Sequence, residues 1–148
     1  MRPPVNLVLQ EAKQTMLAEI LPALESAHGQ GTAYVLGVLM AYSAIEYERG
    51  AEVRVADIRE LRSIFLDAAG RVADSALAAA LRDAAQIREA SLQIGELDRV
   101  LDLLKARFIE LHAHVERGTC DWAPAFERRL LDFLAVALER RALPNPAA

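Results

Sequence analysis

Apolar residues recur along this chain at steps of three and four, the spacing that lays a stripe along one side of an α-helix. Val5, Leu9, Ala12, Met16, Ile20, Leu24 and Ala27 make a first such stripe and predict helix one. Pro22 lies inside it, where it lacks the N–H that would bond to Ala18, so a kink or break is expected there. Gly29-Gln30-Gly31 reads as a short turn leading back into helix two, Thr32 to Arg49. In that helix the thirteen residues from Ala33 to Ile45 carry no charge. Leu36, Met40, Ser43 and Tyr47 share one stripe, Val35, Leu39, Tyr42 and Glu46 a second, and Tyr34, Val38, Ala41 and Ile45 a third. A helix so apolar on nearly every side is expected to be enclosed. Its remaining face, Ala33, Gly37 and Ala44, has side chains small enough for another helix to approach closely.

After Arg49-Gly50 the pattern breaks, and Asp57-Ile58-Arg59-Glu60 has the form of a capping box, predicting that helix three starts there with a stripe of Ile58, Leu61, Phe65 and Ala68. Gly70 is placed to end it in a left-handed conformation. Asp74 or Ser75 can cap an alanine-rich helix four, reaching to about Glu89, with Ala76, Leu77, Ala80, Leu81, Ala84 and Ile87 as its packing residues. Helix five, from Gly95 or Glu96 to Arg117, has the cleanest period: Leu97, Leu101, Leu104, Phe108, Leu111 and Val115. Gly118 ends it. Asp121 is then expected to cap helix six, with Pro124 in its first turn and Trp122, Phe126, Leu130, Phe133, Leu134, Ala137 and Leu138 as its buried face. Arg140-Arg141 suits the negative end of that helix, and Leu143-Pro144-Asn145-Pro146 cannot extend it. The expected fold is therefore all-α, one domain over residues 1–148, an up-and-down bundle of about six helices, four long and two short.

Composition sharpens this picture only in places. A hydrophobic content of 53% with only 5% aromatics is high for a soluble domain and points to a homo-oligomer, with helix six as the first interface to consider. A net charge of −4 disfavours nucleic acid, and the fifteen arginines and two lysines are scattered among acidic residues. The uncharged run is shorter than the ~20 residues needed to span a bilayer, so no membrane span is expected. Gln10, Glu11 and Lys13 interrupt the apolar residues that a secretory signal would need. With a lone Cys120, no intrachain disulfide can form, and the cytoplasm is the expected compartment.

The chemistry-bearing residues are few. Glu25 and His28 have the Glu-x-x-His spacing of a carboxylate-bridged metal site, but such a site needs two of these pairs and there is only one. His112 and His114 point well apart on a regular helix and cannot share a metal. Neither a metal nor another cofactor is expected. Gly29-x-Gly31 follows a helix and lacks the lysine of a phosphate loop. Tyr42, Glu46 and Tyr47, at the carboxyl end of helix two, are the candidate ligand-binding residues, with His112 or His114 contributed by helix five. If its stripe were core, Glu46 would be an inward carboxyl beside Tyr42, able to act as an acid, a base or a ligand anchor.

Glu19-Ile20-Leu21-Pro22-Ala23-Leu24, Ile45-Glu46-Tyr47-Glu48-Arg49-Gly50 and Ile94-Gly95-Glu96-Leu97-Asp98 resemble segments of a bacterial family of small helical proteins of unknown function. That family is often encoded beside aminoglycoside-phosphotransferase-like kinases and acyl-CoA dehydrogenases. The resemblance covers the first two helices and the start of helix five, and the segment after Gly118 departs from it. It carries no catalytic residue across. It implies an accessory role near acyl-CoA or phosphotransferase metabolism. Two expectations result: a non-enzymatic protein that self-associates and binds a partner protein or small apolar ligand, or an enzyme or enzyme subunit with a polar site around Tyr42, Glu46 and Tyr47.

Overall fold

The computed structural model describes residues 3–143. They form α1 (Val5–Thr15), α2 (Ala27–Ala69), α3 (Ser75–Gln86), α4 (Ile94–Arg117) and α5 (Ala123–Arg141), with a π-helical turn (Met16–Ile20) and a three-residue helical turn (Leu21–Ala23) between α1 and α2. The protein is all-α, and among the described residues there is no strand. Among the described residues there are five helices where the sequence pattern suggests six, because the expected second and third helices are one continuous helix of 43 residues.

The course of α2 corrects two expected boundaries. The turn before it is Leu24 to Ser26, not Gly29 to Gly31. Ser26 Oγ accepts the Gly29 N–H at 3.0 Å, and the Gln30 side chain donates to the Leu24 carbonyl at 2.8 Å, so the helix is already under way at both glycines. Nor does the helix stop at Gly50, which is buried within it. Asp57 consequently caps nothing. Each glycine costs a helix only about 1 kcal/mol relative to alanine, a penalty that tertiary packing readily exceeds. Gly70 does not take the left-handed conformation, since no described residue has a positive φ. The helix closes instead through a tighter turn, with Gly70 N–H on the Asp67 carbonyl and Arg71 N–H on that of Ala68.

Pro22 acts as expected, by disrupting the helix, and the disruption takes a definite form. The chain widens into a π turn in which Leu21 N–H reaches back five residues to the Met16 carbonyl, and Leu24 is extended. At α3, Asp74 is the cap: its Oδ1 accepts from Ala76 N at 2.9 Å and Leu77 N at 3.1 Å. At α5 the residue before the helix is Trp122, with no side-chain cap, so Asp121 does not have the role its position suggests. Pro144 to Pro146 lie outside the described residues.

By its internal packing the chain divides into two units, the first comprising Met1–Gly50 and Leu143–Ala148 and the second Ala51–Ala142. The second has an extensive core. The expected stripe of α2 (Ile58, Leu61, Phe65, Ala68) meets Leu81, Ala84 and Ala85 of α3, the whole seam of α4 from Leu97 to Val115, and Phe126, Leu130, Phe133 and Ala137 of α5. Leu134 and Leu138 are exposed, the latter at 73%, so the apolar face of α5 is narrower than its sequence suggests. Charged residues close the edges of this core. Asp57 is 1% exposed, and its Oδ1 accepts from Arg140 at 2.8 Å, while Arg140 also bonds Glu60 at 2.7 Å. Arg141 lies against Asp57 Oδ2 as an ion pair without hydrogen-bond alignment. Two residues expected to begin a helix thus fasten the middle of one to α5.

The first unit is built differently. Its described residues bury only Ala33, Gly37, Ala44 and Gly50. The small-residue face does receive a close neighbour: a methyl group placed on Gly37 would stand 2.6 Å from Leu17 Cδ2 and 2.8 Å from its Cγ.

Candidate functional site

The small face of α2 between Thr32 and Tyr47 is turned toward the segment that precedes it, and the larger apolar residues are thereby turned outward. Val35 is 55% exposed, Leu39 53% and Tyr47 58%, with Tyr34 and Leu36 similarly open. The expectation that this helix is enclosed is therefore not met. One side is closed by Leu17, and the stripe that would have been core faces solvent. An open depression runs along the same helix beside Ala27, His28, Gly31, Thr32, Val35 and Leu36, extending the apolar surface toward the start of α2.

This changes the standing of the predicted polar site. Tyr42 is half-buried, whereas Glu46 and Tyr47 are exposed, so the reasoning that would turn Glu46 inward loses its premise. His112 belongs to the second unit, in α4. His28 is exposed at the start of α2, and Cys120 is an exposed free thiol.

The second unit carries two polar arrangements of its own. A cleft of about 490 Å³ is lined by Val55, Arg59, Arg62, Ser63, Leu66, Arg88 and Glu89. Arg62 crosses it to donate to the Ile87 carbonyl and to Glu89 Oε2 at 2.5 Å, which holds the Glu89 carboxyl below its ordinary value. Its Nε is buried without a partner. These contacts fasten the 87–89 connection to α2, and Arg59 and Arg88 leave the mouth of the cleft cationic.

The other arrangement centres on His112. Its Nε2 is buried and makes no hydrogen bond. Glu116, one turn further along α4, brings Oε1 to 3.7 Å from that nitrogen, and Glu127 of α5 completes a group whose donor atoms lie within 4.8 Å of one another. The Phe108 ring, 6.0 Å from the imidazole and tilted 46° to it, supports one side. A groove of about 420 Å³ lined by Lys105, Phe108, Ile109, Ala113 and Leu134 opens alongside. In the sequence, the spacing of His112 and Glu116 was there to be read as a pair on one helix face. Glu127 could not be joined to them without knowing how α5 packs.

Among the described residues, no helix is long and apolar enough to cross a membrane. No family model, curated protein or solved structure matches the chain.

Proposed function

We propose that this is a non-enzymatic, cytoplasmic interaction protein that acts as a homodimer, a second copy covering the outward stripe of α2 around Val35, Leu36, Leu39 and Tyr47. The observation that carries the reading is the imbalance between the units: the second buries a continuous core, whereas the first buries no large side chain among its described residues. A helical segment of this size generally needs a staple or a partner surface to hold its conformation, and the chain's one cysteine lies in the other unit. Its chemistry favours a second copy as occupant. From Ala33 to Ile45 the surface is uncharged, so two copies laid across each other about a two-fold axis oppose apolar residues with no like-charge repulsion. An accessory role near acyl-CoA or phosphotransferase metabolism, as the resemblance implies, is compatible with such an interaction protein. The exposed thiol of Cys120 suits a reducing compartment. For the second unit we infer an up-and-down arrangement of its helices, from the short connections between them.

Light scattering tests the dimer directly. The parent should have twice the chain mass at micromolar concentration, and Leu39→Glu should reduce it to one chain while keeping helical circular dichroism. A monomeric parent would overturn the proposal. So would a dimer indifferent to Leu39→Glu and abolished by Leu138→Glu, which would locate the interface on α5.

A further inference from the structure

Nothing in the proposed dimer uses His112, whose Nε2 is, among the described residues, the one imidazole nitrogen buried without a hydrogen bond. His112 Nε2 has no solvent contact and no hydrogen bond, a costly condition for a polar atom unless something else satisfies it. Glu116 is the obvious neighbour, yet 3.7 Å exceeds the ~2.7 to 3.2 Å of an ordinary N–H···O bond. The distance matches a different kind of link. Two donors held by one cation at about 2.0 to 2.2 Å each stand roughly 3.3 to 3.8 Å apart when the angle at the ion is about 109 to 120°. Glu127 supplies a third donor from a separate helix, and the three donor atoms fall within 4.8 Å of one another.

The geometry points to a binding site for a divalent first-row transition-metal ion on His112, Glu116 and Glu127, with zinc as the best-suited probe. The donor set selects the class of ion: an imidazole nitrogen favours zinc and its neighbours over magnesium or calcium, which prefer oxygen throughout. The two carboxylates would neutralise the charge of a divalent cation. The fold supplies what a single helix cannot, because His112 and Glu116 are four residues apart on α4 and Glu127 enters from α5. Phe108, itself packed on Phe133 at 5.4 Å, backs the imidazole and limits its rotation. Three protein donors leave a fourth tetrahedral position for water or an exogenous ligand. His112 and Glu116 also line the groove of about 420 Å³, whose other residues are mainly apolar. The competing account is a side-chain cluster of His112, Glu116 and Glu127 that holds no metal.

Titration calorimetry with zinc chloride on the full chain carrying Cys120→Ser, which removes the thiol as a rival ligand, separates the two accounts. One zinc per chain should bind, a large excess of magnesium should not displace it, and the melting temperature should rise with added zinc. His112→Asn and Glu127→Gln should each weaken binding at least tenfold and remove the thermal shift. Both variants must retain the parent's helical circular dichroism. Should either fail to fold, Glu116→Gln, altering an exposed residue, gives the same readout. Cobalt in place of zinc should show the intense visible absorption of a four-coordinate site with mixed nitrogen and oxygen donors. The inference is overturned by the absence of saturable zinc binding below millimolar concentration. It is equally overturned by binding that all three variants leave intact, or by displacement with magnesium.

Discussion

Glu96 is a case in which one side chain organises a helix start. Its Oε1 accepts from the Ala90 backbone N–H at 2.9 Å, and the Arg99 guanidinium grips both carboxylate oxygens at 2.8 and 2.9 Å. Arg99 first, and the Ala90 N–H after it, lower the carboxyl from its ordinary 4.5 to about 2. A folded value below the unfolded one means that this group favours the fold above about pH 4.5, and that its contribution fades as the pH falls from there towards 2. Carbon-detected NMR should place the Glu96 midpoint near 2, and Arg99→Ala should raise it. A midpoint at the ordinary value in the parent would remove the clasp. Gly37 makes an equally local point about space. A methyl group there would press on both Leu17 Cγ and Cδ2, so Gly37→Ala should lose ~1 to 3 kcal/mol to overpacking and recover up to about 1 kcal/mol from helix propensity. In a Leu17→Ala background the same substitution should be neutral or stabilising. Thermal melts of the four proteins in that cycle decide it, and equal effects in both backgrounds would mean that Leu17 is not the obstacle.

At the scale of the helix, the ion cluster of Asp57, Glu60, Arg140 and Arg141 determines how α2 is held to α5. Asp57 is fully buried, while Arg140 and Arg141 are partly in contact with solvent, so the two sides of the cluster are not equivalent to mutation. Replacing both arginines by methionine strands a buried carboxylate and should cost on the order of 3 kcal/mol or more; Asp57→Asn frees cations that can turn to water and should cost less. Urea denaturation gives the order, and the reverse order would show that the arginines carry the larger desolvation penalty. The same cluster explains a boundary the sequence could not supply. Asp-x-x-Glu is the pattern of a capping box, but it also puts two carboxylates on one helix face, and only the partners contributed by α5 distinguish these cases. Gly29, Gly31 and Gly50 mislead similarly, because a glycine's helix penalty is visible in sequence and the packing that overcomes it is not. What depends on local repetition was legible: the α4 seam, the Asp74 cap, the disruption by Pro22 and the close face of Ala33, Gly37 and Ala44. Periodicity also aligned Val35 with Leu39 correctly, yet it could not show that both stand exposed among the described residues. Among the candidate residues, His112 is legible as a polar residue offered by the expected fifth helix, whereas the carboxylate from α5 that gives it a chemistry depends on packing.

For the molecule as a whole, the consequence is that stability should be unevenly distributed and partly dependent on concentration. Ile58, Leu61, Phe65 and Ala68 lie in a core supplied by four helical segments of the same chain, so their amides should open only with the second unit as a whole. Leu36 to Tyr47 belong to the same helix but have only the small-residue face buried within the first unit. If a second copy covers the remaining stripe, opening this half requires either local fraying or prior dissociation, and mass action then ties its protection to protein concentration. Hydrogen exchange at two concentrations, one well above and one well below the dimer midpoint, should therefore show a split within α2. Amides of Leu36 to Tyr47 should exchange faster on dilution, and those of Ile58 to Ala68 should keep their rates. Leu39→Glu should give the fast pattern at both concentrations without altering the second half. Uniform protection along α2, independent of concentration and of that substitution, would mean that the first half derives its stability from within one chain, and the exposed stripe would then have no part in self-association.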